Sequence, residues 1–247
     1  MNCHVRVTFS GYACAMRNFA ISTLLALLLP VTAMAARPMI TDDARVVDPN
    51  SCQLESWVKR NRHSTEYWAL PGCSPAENME LTLGGAITRE DHAAHNTDLM
   101  MQAKLLLKSL ETDSYGYGVV VGYAQHPRLD NNSSMVGNTY AYLPASASFF
   151  SDRLILHTNL GALHDKEKNR TNLTWGIGSE MPVSNTVDLI AEVYGDHRSR
   201  PFYQAGLRYW LVHDRIQIDT TYGNRMNHRG EEQWLSFGLR LLSSPLW

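Results

Sequence analysis

The residues able to do chemistry in this chain are mostly charged, and they recur with a period of two. Glu55, Lys59, Glu80, Asp98, Lys104, Arg153, Glu180, Asp188, Glu192, Arg208, Asp219 and Arg240 each stand on the polar side of a segment whose alternate positions are apolar. Turned inward together, such mixed signs predict either a ladder of paired charges filling an interior or a charged path that tunes what passes through it. Ten histidines raise metal chemistry. His92, His95, His126, His164, His197, His213 and His228 fall between the periodic segments, often beside Asp, where such pairs are commonly solvated turn residues. Zinc needs three or four of them to converge, so no metal site is assigned. His157 and Asn159 share an inward face while Thr158 looks outward. No serine stands two residues from a strand histidine on the same face, so no nucleophile–base pair and no catalytic residue is assigned, and His157 joins the inward polar set. Gly84, Gly85 and the glycines of 116–122 lie within strand-like segments rather than in a phosphate-binding loop. No cofactor is implied.

The elements that must carry these residues are strands. Leu235, Phe237, Leu239 and Leu241 alternate with Trp234, Ser236, Gly238 and Arg240. Tyr115, Tyr117, Val119, Val121 and Tyr123 alternate with Gly116, Gly118, Val120, Gly122 and Ala124. The same two-residue period predicts strands near 52–60, 66–71, 78–88, 97–107, 115–125, 138–149, 153–163, 172–183, 186–195, 202–211, 215–223 and 232–242. The second is short and Pro144 interrupts the sixth, so about twelve strands are expected within a range of ten to fourteen. Connections alternate in length. Phe150–Asp152, Ser184–Asn185 and Val212–Asp214 are tight, whereas Glu90–Asn96, His126–Gly137, His164–Thr171, Asp196–Pro201 and Asn224–Glu231 are mostly longer and more polar. Short turns on one side and long loops on the other are the rhythm of a closed antiparallel transmembrane β-barrel with both termini periplasmic.

The N-terminus carries an export pattern. Arg17, the apolar run Phe19–Val31 and Ala33-Met34-Ala35 form a charged region, an apolar core and a small-x-small cleavage site. The run is about 13 residues, short of the ~20 that span a bilayer as a helix. Residues 1–35 are therefore expected to be a cleavable signal peptide, and 1–15 a mis-assigned start, because Met16-Arg17-Asn18 is a more usual beginning. Without 1–35 the chain holds 20 basic and 24 acidic residues, a formal charge of −4, and nothing in that balance suggests nucleic acid, so no nucleic-acid partner is expected. Cys3 and Cys14 leave with the leader. Cys52 and Cys73 then remain in an oxidising compartment, symmetric about Arg62-His63, so a hairpin turning there sets them opposite each other as a disulfide near the periplasmic rim. Residues 36–51 form a polar lead-in. Asp42 and Asp43 are expected to meet inward Lys or Arg at the periplasmic mouth; a solvated linker is the alternative.

A secreted soluble β-sandwich would also alternate. Against it, the apolar faces lack charges over their length, Tyr115 and Tyr123 cap one such face like an interfacial girdle, and the terminal Ser-Pro-Leu-Trp247 resembles the assembly signal of outer-membrane barrels. The stretches Arg37-Pro-Met-Ile-Thr-Asp-Asp-Ala44, Cys52–Trp57, Glu66–Cys73 and Met79–Gly85 resemble the MetA-pathway phenol-degradation family of outer-membrane β-barrel proteins. The resemblance covers roughly residues 37–90 and implies uptake of aromatic or other hydrophobic compounds. The expectation is thus a signal peptide (1–35), a lead-in (36–51) and an outer-membrane β-barrel (52–247), acting as a passive, porin-like channel for small molecules in a Gram-negative bacterium. A structural or adhesive barrel, and an outer-membrane hydrolase, are the alternatives. The expected partners are outer-membrane lipid, the barrel-assembly machinery and a small hydrophobic or aromatic cargo.

Overall fold

The structure, a computed structural model, describes residues 39–91, 95–125, 137–227, 230 and 232–246. The leader, His92, His126, His228 and Trp247 lie outside the described residues. Twelve strands follow one another: β1 Cys52–Asn61, β2 Ser64–Ala76, β3 Met79–Glu90, β4 Asn96–Lys108, β5 Tyr115–Gln125, β6 Gly137–Phe149, β7 Leu154–Asp165, β8 Arg170–Pro182, β9 Val187–Asp196, β10 Phe202–Val212, β11 Ile216–Arg225 and β12 Trp234–Leu242. Each pairs antiparallel with its neighbour in sequence, and β12 closes on β1. Closure leaves no unpaired edge, the one arrangement that lets strands cross lipid without orphaned backbone groups.

The alternation decides which way the wall faces. Leu83, Met101, Val121, Leu160, Ile177, Leu207 and Phe237 lie on the outer surface, each roughly half exposed. Arg208, Arg240, His157, Glu180 and Glu192 are buried inside. An apolar exterior around a charged interior inverts the soluble pattern and defines a membrane-spanning wall.

The boundaries correct three expectations. β2 runs on through Pro71 to Ala76, where a turn was expected. Pro71 pairs with Leu54 of β1, while the ladder to β3 passes from Ala69↔Gly85 to Gly72↔Thr82 without it. Pro144 behaves alike: it pairs with Asn159 of β7 and is skipped in the ladder to β5. A proline lacks the donor on one side only, so each strand continues at the cost of a local gap. Arg153, expected inside, is exposed in the β6–β7 turn. Phe150, Ser151 and Asp152 take left-handed backbone (φ 58°, 57° and 63°), which ends the alternation before Arg153 can join β7. His164, expected in a loop, lies within β7, one residue before its end, and bonds Thr171 Oγ1 across the hairpin at 3.1 Å.

The Arg62-His63 hairpin does bring Cys52 opposite Cys73, and the two form a disulfide. The connections β2–β3, β4–β5, β6–β7, β8–β9 and β10–β11 share the end that holds the disulfide and the C-terminus.

Candidate functional site: a lumen threaded by the N-terminal segment

Register alone assembles the charged interior. Glu55 faces Arg240, Glu80 faces Lys104, and Arg208 faces both Asp188 and Asp219. Arg208 binds Glu180 at 3.0 Å and lies 3.8 Å from Asp188. Arg240 Nε donates to Gln53 Oε1 at 2.7 Å, with Glu55 at 3.7 Å. All of this stands in the half of the barrel nearer the termini. Asp98 lies on the inward face of β4 with Gln102 and Lys104, towards the opposite mouth.

The lead-in enters this network and climbs past the mouth to mid-barrel. Val47 N donates to Glu80 at 3.1 Å, and Ala44 N to Ser146 Oγ at 2.9 Å. Lys104 Nζ binds Asp42 at 2.8 Å and Asp43 at 2.9 Å. Tyr142 donates its hydroxyl to Asp42 Oδ2 at 2.9 Å. With its amide turned to suit both neighbours, Asn159 accepts from Asp42 N at 2.7 Å and donates to Asp42 O at 2.9 Å. Farther along, Glu192 accepts from Ile40 N and Thr41 N, both at 2.7 Å, and from Gln204 at 2.5 Å. Arg45 reaches back to Glu180 at 3.5 Å. Ala44 and Val47 are buried. Extended backbone enclosed by a barrel must have its polar groups paired, and here wall side chains supply the partners.

His157, missed as part of a cluster, shares a 2.7 Å bond with Ser146 Oγ through Nδ1 and stands 3.6 Å from Glu180 through Nε2. Inspection along one strand could not find this serine, because it comes from the neighbouring strand (Ser146↔His157). A Ser–His–Glu row has the composition of an acyl-transfer site. Its hydroxyl, however, seats Ala44, and Ser146 and His157 line neither lumenal cavity described below. The row anchors the segment. Among the described residues, no group of three or more His, Cys, Asp or Glu side chains is placed to hold a metal ion.

The other half of the lumen is hollow and aromatic. Trp57 and Trp68 stack across β1 and β2 with centroids 5.1 Å apart. Trp234 meets Phe202 at 5.8 Å, and Phe202 meets Tyr194 at 5.6 Å. Gly223 makes room: a Cβ there would strike the Trp234 indole, so only glycine lets that ring lie flat on the wall. Gly122 does the same for Tyr140. The lead-in runs between two chambers of about 340 Å³ each, and the first extends back beside it to Glu55, Glu80 and Arg240. Ile40, Thr41, Tyr142 and Tyr194 border both. Trp57, Trp68 and Trp234 line the first; Tyr140, Phe202, Arg200 and Arg225 line the second.

A closed twelve-stranded barrel with a greasy outer wall and a charged, cavity-bearing lumen is a transmembrane β-barrel of the outer-membrane porin fold. Residues 23–242 match the family described as Uncharacterised conserved protein UCP029691, and the chain belongs to that family. The KdgM porin superposes with a TM-score of 0.60 at 10% identity, over 76% of this chain and 98% of its own. The COG4313 outer membrane channel from Pseudomonas putida F1 gives 0.57 at 8%, over 85% and 100%. The NanC porin gives 0.54 at 10%, over 78% and 98%. No curated protein matches the chain by sequence.

Proposed function

We propose that this protein is a passive outer-membrane channel of a Gram-negative bacterium, admitting small molecules, hydrophobic and aromatic ones included. Export by the 1–35 leader, insertion by the barrel-assembly machinery and a surround of outer-membrane lipid belong to the same reading. Three barrels of this fold are named as porins or a channel, and one KdgM structure holds disordered oligogalacturonate. The motifs of residues 37–90 support kinship with the MetA-pathway phenol-degradation proteins and so a hydrophobic cargo.

The observation that carries the proposal is what fills the lumen. Among the described residues, 39–47 make one backbone bond to the wall, Leu110 N to Ala44 O at 3.1 Å, and otherwise hang on side chains. The obstruction is a separable thread rather than part of the sheet, and beside it the chambers are already formed. Conductance across planar bilayers tests this. The whole chain is expected to give small, infrequent steps, and a chain lacking 39–46 larger, sustained ones. A folded barrel that carries no current in either form is a structural barrel, and the proposal fails.

A further inference from the structure

The two chambers differ in charge. Asp42, Asp43, Glu55, Glu66, Glu80 and Glu180 border the first, against Arg45, Lys59, Lys104 and Arg240. The second has Arg200 and Arg225 against Asp196. Accessibility sharpens the contrast. The Lys104 and Arg240 side chains are sunk in the wall at 6% and 2% exposure, as Asp43 and Glu180 are at 3% and 5%, whereas Lys59, Asp42 and Glu66 keep 29%, 21% and 18%. A solute in the first chamber therefore meets carboxylate oxygens and the faces of Trp57, Trp68 and Trp234, with Lys59 as its one well-exposed base. Lys59 shows what the cage accepts: its ammonium sits 4.9 Å above the Trp234 ring and 3.4 Å from Glu66. An ammonium over an indole, with a carboxylate beside it, is the arrangement by which aromatic cages hold organic cations.

We propose that the first chamber is a binding site for a small amphipathic organic cation, a protonated or quaternary amine on an apolar body. The inference rests on the lumen being reachable by solute, as in the channel reading, and narrows that reading to a charge class. The apolar body lies against the stacked Trp57–Trp68 pair, whose rings are within 6° of parallel. Its charge points towards Glu55, Glu66 and Asp42. A cavity of about 340 Å³ is at the small end of ligand sites, which limits the guest to roughly one ring and a short tail. The second chamber, with two guanidinium groups at its rim, repels the same guest.

The test is a tryptophan-fluorescence titration of the full-length, detergent-folded barrel with three matched probes: 2-phenylethylammonium, 3-phenylpropionate and 2-phenylethanol. The ammonium is expected to quench saturably and to bind about tenfold more tightly than either other probe, within the range of a desolvated cation–π contact. Glu66→Gln and Glu55→Gln should each weaken it several-fold while the heat-dependent gel mobility stays unchanged. Equal binding of the three probes, preference for the anion, or no saturable quenching overturns the site, and these wild-type results need no variant to fold. Bilayer current is read separately. A silent barrel that still selects the ammonium removes transport and keeps the site, whereas a conducting barrel that treats all three alike removes the site and keeps the channel.

Discussion

Replacing Lys104 by Met tests the seat of the N-terminal segment most directly. The ammonium binds Asp42 and Asp43 at 2.8 and 2.9 Å, and the Lys104 and Asp43 side chains are only 6% and 3% exposed. Methionine keeps the length of the side chain and removes the charge. Breaking a buried ion pair by deleting one partner costs about 3–5 kcal/mol, because the other charge stays behind without compensation. Asp42 is one-fifth exposed and keeps Tyr142 and Asn159, so the lower figure applies. The wall is closed by twelve ladders that do not involve these carboxylates, so the barrel can stay shut while the thread leaves and carries both acids into water. About 3 kcal/mol shifts the seated-to-released ratio by roughly two orders of magnitude. Limited trypsin digestion reads the release at Arg45, whose side chain is 9% exposed when it lies against Glu180. Lys104→Met should be cut there rapidly, with gel mobility of the barrel intact and larger bilayer steps. Adding Asp42→Asn and Asp43→Asn should restore resistance, since no charge is then stranded. A Lys104→Met barrel as resistant at Arg45 and as quiet as the parent would refute the reasoning.

Other consequences are cheaper to check. Leu83→Arg places a charge on the outer face at a position 63% exposed; at a midplane cost of about 2–4 kcal/mol, it should sharply reduce the yield of heat-modifiable barrel in vesicles. Cys52→Ser with Cys73→Ser opens a loop of 21 residues and should lower unfolding stability by about 3 kcal/mol in the chain-entropy account, seen as an earlier urea midpoint with unchanged gel mobility of the folded form. Gly223→Val should push the Trp234 ring off the wall, shift tryptophan emission and reduce the current of the 39–46 deletion.

The wall was legible because lipid and lumen impose opposite demands on alternate residues, so each segment declares its faces. Leu235, Phe237 and Leu239 outward and Trp234, Ser236 and Arg240 inward needed nothing beyond the period of two. The disulfide followed from a turn centred on Arg62-His63. Arg153 misled because its spacing continues the inward set of β7, while the chain spends Phe150–Asp152 on a left-handed turn instead. Most residues that seat the thread were not legible. Ser146, Tyr142, Asn159 and Gln204 look like ordinary inward polar positions, and what marks them is the path of another segment. The Thr-Asp-Asp-Ala run gave one usable signal, two adjacent acids before a barrel rich in inward bases. Its two acids do meet Lys104, though deeper than the mouth.

Strand register sorts the interior into two materials, and that sorting explains where the described residues of the thread are held. Near the termini, opposed residues are ionic: Glu55 with Arg240, Glu80 with Lys104, Asp188 and Asp219 with Arg208. Buried charges need saturated hydrogen bonding, and an extended backbone rich in N–H groups and acids supplies it, from Val47 at Glu80 to Asp43 at Lys104. Towards the longer loops the opposed residues become Trp57 with Trp68 and Gly223 with Trp234. Rings and glycines offer a backbone few partners, and an unpaired buried amide costs about 1–3 kcal/mol, so residues 39–47 take theirs from the polar set. Glu192, accepting from both Ile40 and Thr41, seats the first described residues beside that change. The path of residues 39–47 is therefore set by which side chains can satisfy a backbone, and the tryptophan faces beside it suit a guest that brings its own apolar surface.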